Sequence, residues 1–90
     1  MNDIELIYDK LKDKYDLVLT STMALDDGYT IDVPVICGAS EKGRFDLYKD
    51  ESVGLFVFSV APEKTEKHWH THAIDMEGAI RLVDGFMGKK

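Results

Sequence analysis

The hydrophobic periodicity of this chain changes twice along its length, and that change limits the possible folds more than any other feature. Over residues 3–15, Ile4, Ile7, Tyr8, Leu11 and Tyr15 recur at steps of three and four, with Glu5, Asp9, Lys10, Lys12 and Asp13 between them. This is the pattern of an amphipathic helix. Asn2 or Asp3 can cap its start, and Lys12 and Lys14 suit the carbonyl end. Helical spacing returns near the end with Met76, Ala79, Ile80, Val83, Phe86 and Met87, preceded by Asp75 as N-cap and closed near Gly85 or Gly88. Gly78 stands where a Glu would complete a capping box.

Between these ends the period falls to two. Leu17, Val18 and Leu19 followed by Thr20, Ser21 and Thr22 predict a strand, and Asp26-Asp27-Gly28 a turn. Tyr29, Ile31, Val33, Val35 and Cys37 alternate with Thr30, Asp32, Pro34 and Ile36, which predicts one buried face. Pro34 removes a ladder donor, so that strand lies at an edge, carries a bulge, or begins after the proline. Residues 38–43 are expected to form a polar hairpin loop and residues 44–48 a strand. Residues 49–52 then turn into the most apolar strand, 54–61, and a turn at 62–65 leads to a last strand at 66–71. The prediction is an α+β fold: an N-terminal helix, a four- to five-stranded antiparallel β-meander and a C-terminal helix, with both helices on one sheet face. With 90 residues there is room for one core, so residues 1–90 are expected to form a single domain.

A short hairpin turn at 62–65 would set Ala61 opposite Glu66, Ser59 opposite His68, Val57 opposite His70 and Leu55 opposite His72. Phe45, Leu47, Phe56, Phe58, Val60 and Trp69 then share the core side. The opposite side collects Arg44, Asp46, Tyr48, Leu55, Val57, Ser59 and the histidines, a mixture of apolar and imidazole groups that suggests a covered surface.

The run His68-Trp69-His70-Thr71-His72 holds all three histidines of the chain. Alternate residues of a strand share a face at about 6.6 Å, which lets neighbouring imidazoles close on one ion with Zn–N bonds of about 2.1 Å. His68 and His72 would lie about 13 Å apart, too far for a three-histidine site on a regular strand. The candidate metal site is therefore His68 and His70 with a carboxylate from Asp46 or Glu66, for zinc or another divalent ion. The alternative for these histidines is a polar outer face whose imidazoles bond to Ser59, Asp46 or water and respond to acidification.

Other chemistry is poorly supported. A formal net charge of -6, from 17 acidic and 11 basic residues without a basic stripe, disfavours nucleic acid and anionic membranes. Cys37 with a histidine would make a nucleophile and base, but it ends an apolar alternation as a small core or edge residue. Residues 38–43 lack the Lys-Ser/Thr of a phosphate loop. Phe56 and Phe58 resemble base-stacking aromatics, without the internal helix or the charge of that RNA-binding fold. Asp26-Asp27 and Asp50-Glu51 fall in predicted turns. One cysteine makes no internal disulfide, no signal peptide is evident, and the apolar run at 53–61 is about half a membrane span. A cytoplasmic location is expected.

Residues 43–87 resemble a group of small bacterial proteins of anaerobic Gram-positive type. The resemblance is carried by Phe56-Val57-Phe58-Ser59-Val60, His68-Trp69-His70, Glu77, Ala79-Ile80, Val83 and Phe86-Met87. That group has no assigned activity, so the resemblance implies a recurring fold and transfers no site residues. Absent a catalytic set, the leading expectation is a non-enzymatic interaction module. It would bind a protein partner or a second copy through Tyr48, Leu55, Val57, His68 and His70. Two rivals are a metal-binding domain or metal-dependent enzyme using the histidine strand, and an immunity-like or antitoxin-like inhibitor of a basic partner.

Overall fold

The computed structural model describes residues 2–24, 28–62 and 67–88. The chain forms α1 (Asp3–Leu11), β1 (Val18–Thr20), β2 (Met23–Ala24), β3 (Thr30–Ile31), β4 (Val35–Ser40), β5 (Gly43–Asp50), β6 (Leu55–Pro62), β7 (Trp69–Ala73) and α2 (Met76–Met87). Five strands make one antiparallel sheet in the order β1-β4-β5-β6-β7, and β2 and β3 form a separate two-stranded ribbon. This is the expected α+β architecture. The meander runs from β4 to β7, and β1 joins beside β4.

Asn2 caps α1 through a full capping box: Glu5 N–H donates to Asn2 Oδ1 at 2.8 Å, and Asn2 N–H donates to Glu5 Oε1 at 3.2 Å. The helix buries Ile4, Ile7 and Leu11 and stops there, four residues short of the predicted end at 15. The amides of Lys14 and Tyr15 both turn back to the Leu11 carbonyl, so Tyr15 reaches the core side from a turn and not from a helical position. At the other end, Asp75 caps α2 as predicted, accepting from the Gly78 amide at 2.8 Å, and Ala79, Val83 and Phe86 are buried.

Both helices cover one sheet face. Ile4, Ile7, Leu11, Ala79, Val83 and Phe86 meet Ile36, Phe45, Leu47, Phe56, Phe58 and Val60 in one continuous core. Phe45 and Phe58 stack across β5 and β6 at 5.0 Å, and Phe86 lies edge-on to both rings at 5.5 and 5.8 Å. Gly38 leaves room for this cluster: a Cβ there would stand 2.6 Å from Phe45 Cε2 and 2.9 Å from Leu17 Cδ2.

Several local predictions need correction. The stretch 29–37 is two strands, not one, because β4 begins only after Pro34, the third of the options its missing donor allowed. Its buried positions do not alternate as expected, for Tyr29 is exposed while Val35 and Ile36 are both buried, on opposite faces. The loop expected at 38–43 shrinks to Glu41 and Lys42, since Gly38, Ala39 and Ser40 pair with Phe45, Arg44 and Gly43. Gly43, at φ +128°, takes a backbone conformation that other residues rarely adopt, and a Cβ there would strike the Ala61 carbonyl oxygen. The predicted turn at Asp26-Asp27, most of that at 62–65, and Glu66 lie outside the described residues.

Candidate functional site

The face turned away from the helices is organised in cross-strand rows. Register places Val18, Cys37, Asp46, Ser59 and His70 side by side, one from each strand of the sheet. In the next row Thr20 pairs with Val35, and Tyr48 with Val57 and then His72. Strand parity therefore assigns the face correctly, but the β6–β7 register is displaced by two residues: His70 stands opposite Ser59, not Val57, and His72 opposite Val57, not Leu55. A displacement of two keeps every side chain on its face, which is why the alternation survives the error. β7 also starts later than predicted, and His68 precedes it, exposed and outside the strand.

The five residues expected to bind a partner thus separate. His70 stays on the outer face and is exposed, with His72 beside it, while Val57 is only 8% exposed between Tyr48 and His72. Tyr48 and Leu55 are half-buried. The face is open at both ends of the sheet, with His70 and His72 exposed on β7 and Val18 56% exposed on β1. β7 is an edge strand, bonded to β6 alone among the described residues, and it contains neither Lys nor Pro.

The electrostatics of the face keep its nucleophiles protonated. Burial, then a hydrogen bond to Asp46 and that carboxylate's charge, push the Cys37 thiol up to about 11. Burial also raises the Tyr48 hydroxyl, with Asp50 and Asp46 adding to the effect. Cys37 is three strands from His70, about 14 Å at sheet spacing, so the two form no nucleophile–base pair. Ser59 does stand beside His70, yet Asp46 lies on the far side of Ser59 and cannot orient the imidazole as a triad acid must.

Of the metal candidates, Asp46 and His70 share a row but are separated by β6, and His68 lies beyond the end of β7. The close imidazole pair is instead His70 and His72, whose rings are 5.4 Å apart and nearly perpendicular. Among the described residues no group of three or more His, Cys, Asp and Glu is arranged to hold an ion. A spacing of two puts His72 on the same strand face as His70, so this pair is implicit in the sequence.

A second concave feature lies on the helix side of the sheet. Trp69 belongs to the core side, as predicted, but is 47% exposed at the start of β7, with its ring 6.5 Å from Phe58. Between it and α2 runs a groove of about 450 Å³. The sequence signal for it was an apolar core residue falling on the strand that closes the sheet.

No family model matches the chain, and neither curated proteins nor solved structures provide a match. Among the described residues no helix is long and apolar enough to cross a membrane.

Proposed function

We propose that this chain is a small non-enzymatic interaction module that binds a second copy of itself through the β7 side of its outer sheet face. The observation that carries this reading is an edge strand, paired on one side only among the described residues, with two exposed imidazoles on the face that neither helix covers. An edge strand presents a row of free N–H and C=O groups that another strand can complete. β7 is the longer of the two sheet edges, five residues against three in β1. A two-fold axis through Thr71 pairs the whole of β7 with its copy, setting Trp69 of one chain opposite Ala73 of the other and His70 opposite His72. Large then meets small on the helix side, and four imidazoles gather on the outer side, with Val57 and Tyr48 behind them.

Light scattering on a sizing column tests this. A dimer at high concentration is expected, and the doubly substituted variant H70E/H72E, which sets carboxylates against each other, should be monomeric with an unchanged circular dichroism spectrum. Both residues are exposed, so the fold does not depend on them. A wild-type monomer throughout, or a variant that still dimerises, would overturn the proposal.

The 5.4 Å contact between the His70 and His72 rings favours a second reading, metal binding. One copy offers two imidazoles; the two-fold pair offers four, a full tetrahedral set for zinc. Zinc or nickel should then raise the melting temperature by RT ln(1 + [L]/Kd), and the rise should disappear in His72→Ala. An unchanged melting temperature in excess metal eliminates this second reading and leaves the first in place.

A further inference from the structure

We infer that the groove between α2 and the β6–β7 end of the sheet binds a small amphipathic anion, an alkyl or aromatic body carrying one carboxylate. Its size, about 450 Å³, is that of a small-molecule pocket. Its walls are carbon: Phe58, Val60, Trp69, Leu82 and Phe86. Three of these, Phe58, Val60 and Phe86, are core residues whose outward surfaces reach the groove, so an occupant extends the core and does not rest on a polar surface. Removing apolar area such as the half-open Trp69 ring from water is favourable by about 25 cal/mol per Å².

The charge at the rim selects the ligand's head. Among the described residues, Lys42 and Arg81 are the charged side chains that line the groove, and both are basic in a chain whose net charge is -6. Lys42 comes from the tight β4–β5 hairpin. It donates to the Gly85 carbonyl at 3.0 Å and lies 5.9 Å from the centre of the Phe86 ring, which fixes the ammonium at the groove mouth. An ammonium has three N–H donors, so this bond leaves others for a carboxylate. Among the described residues Arg81 pairs with Glu77 alone, at 3.7 Å with both side chains largely exposed, and such a contact is weak enough to exchange for a ligand anion. A neutral apolar ligand would leave these cations unused; an inorganic anion would leave the carbon walls wet. The groove opens on the helix side of the sheet, opposite the histidines, and shares Trp69 with the proposed β7 pairing, so the titration is run on the H70E/H72E variant as well as on the parent chain.

Trp69 is the chain's single tryptophan, so its emission reports on the groove directly. Titration with decanoate should give a saturable change in Trp69 fluorescence, with decanol at least fivefold weaker and acetate inactive. Lys42→Gln should weaken decanoate about tenfold and leave decanol unchanged. Gly85→Leu fills the groove from α2, where a Cβ meets nothing within 4 Å, and should abolish binding while the helical circular dichroism signal is kept. The inference is overturned if decanoate produces no saturable change, if decanol binds as tightly as decanoate, or if Gly85→Leu binds like the parent chain.

Discussion

The Tyr15 hydroxyl donates a 2.6 Å hydrogen bond to Asp84 Oδ1 across 69 residues of sequence, joining the turn after α1 to the last part of α2. The Tyr15 bond is the main cause that holds the Asp84 carboxyl below its ordinary 3.8; burial opposes it and Lys14, 3.3 Å away, supports it. The same bond, followed by burial and the carboxylate's charge, raises the Tyr15 hydroxyl above 10.0. A depressed carboxylate contributes stability above its unfolded pKa and loses it as pH falls through the folded value. A raised hydroxyl contributes below its unfolded pKa and loses that contribution as pH rises through the folded value. The Asp84 side chain is 38% exposed, so the effect is discounted for solvent to about 1 kcal/mol. Tyr15→Phe should therefore lower the melting temperature by about 4–8 °C at pH 7. The deficit should narrow as pH is lowered below 3.8 and Asp84 is protonated, a trend that scanning calorimetry across pH would read.

Two glycines should respond oppositely to alanine. At Gly38 the added methyl meets Phe45 and Leu17 at under 3.0 Å and must push the Phe45 ring off Phe58, an overpacking cost of about 1–3 kcal/mol. At Gly85, inside α2 with nothing within 4 Å of a Cβ, alanine should stabilise by up to about 1 kcal/mol through helix propensity. Urea unfolding of the two variants distinguishes them by the sign of the change in midpoint.

Phe86 is the ring through which α2 grips the sheet, edge-on to Phe45 and Phe58 and 7% exposed. Phe86→Ala should cost about 3–5 kcal/mol, a large part of the total stability of a domain this size. Phe86→Leu keeps most of the volume and should cost under half as much. Equal losses in the two variants would mean that ring geometry, and not filled volume, dominates at this position.

Strand parity puts Phe45 and Phe58 on the core side, helical spacing puts Phe86 there, and the starts of both helices are legible from their caps, Asn2 and Asp75. What the sequence could not supply was the β6–β7 register, because the residues between those strands carry no signal for loop length, and a slip of two leaves every face unchanged. The end of α1 was equally hidden: Tyr15 continues the helical spacing, but it is the contact with Asp84, 69 residues away, that claims the side chain. Burial of Val57 on the outer face was missed because it depends on lateral neighbours, Tyr48 and His72, that only a correct register identifies. The groove beside Trp69 depends on where α2 crosses the sheet, which periodicity does not determine.

Cys37 provides a chemical test of the outer face. Its thiol is pushed from an ordinary 9.0 to about 11, so about a hundredfold less thiolate is present at pH 8 than for an unperturbed cysteine. Because the thiolate is the nucleophile, reaction with a disulfide reagent such as Ellman's should be slow in the native protein and become rapid on unfolding. Burial is the largest cause of the shift and Asp46 the next, through both its hydrogen bond and its charge. Asp46→Asn removes the charge while leaving the burial in place, so it should accelerate native-state labelling several-fold without reaching the unfolded rate. Labelling at the same slow rate in Asp46→Asn would mean that burial alone controls the thiol and that the Cys37–Asp46 pairing across β4 and β5 carries no electrostatic weight. A fast reaction in the parent chain would contradict the protonated state of the Cys37 thiol, and with it the reading of this face as one that binds without catalysing.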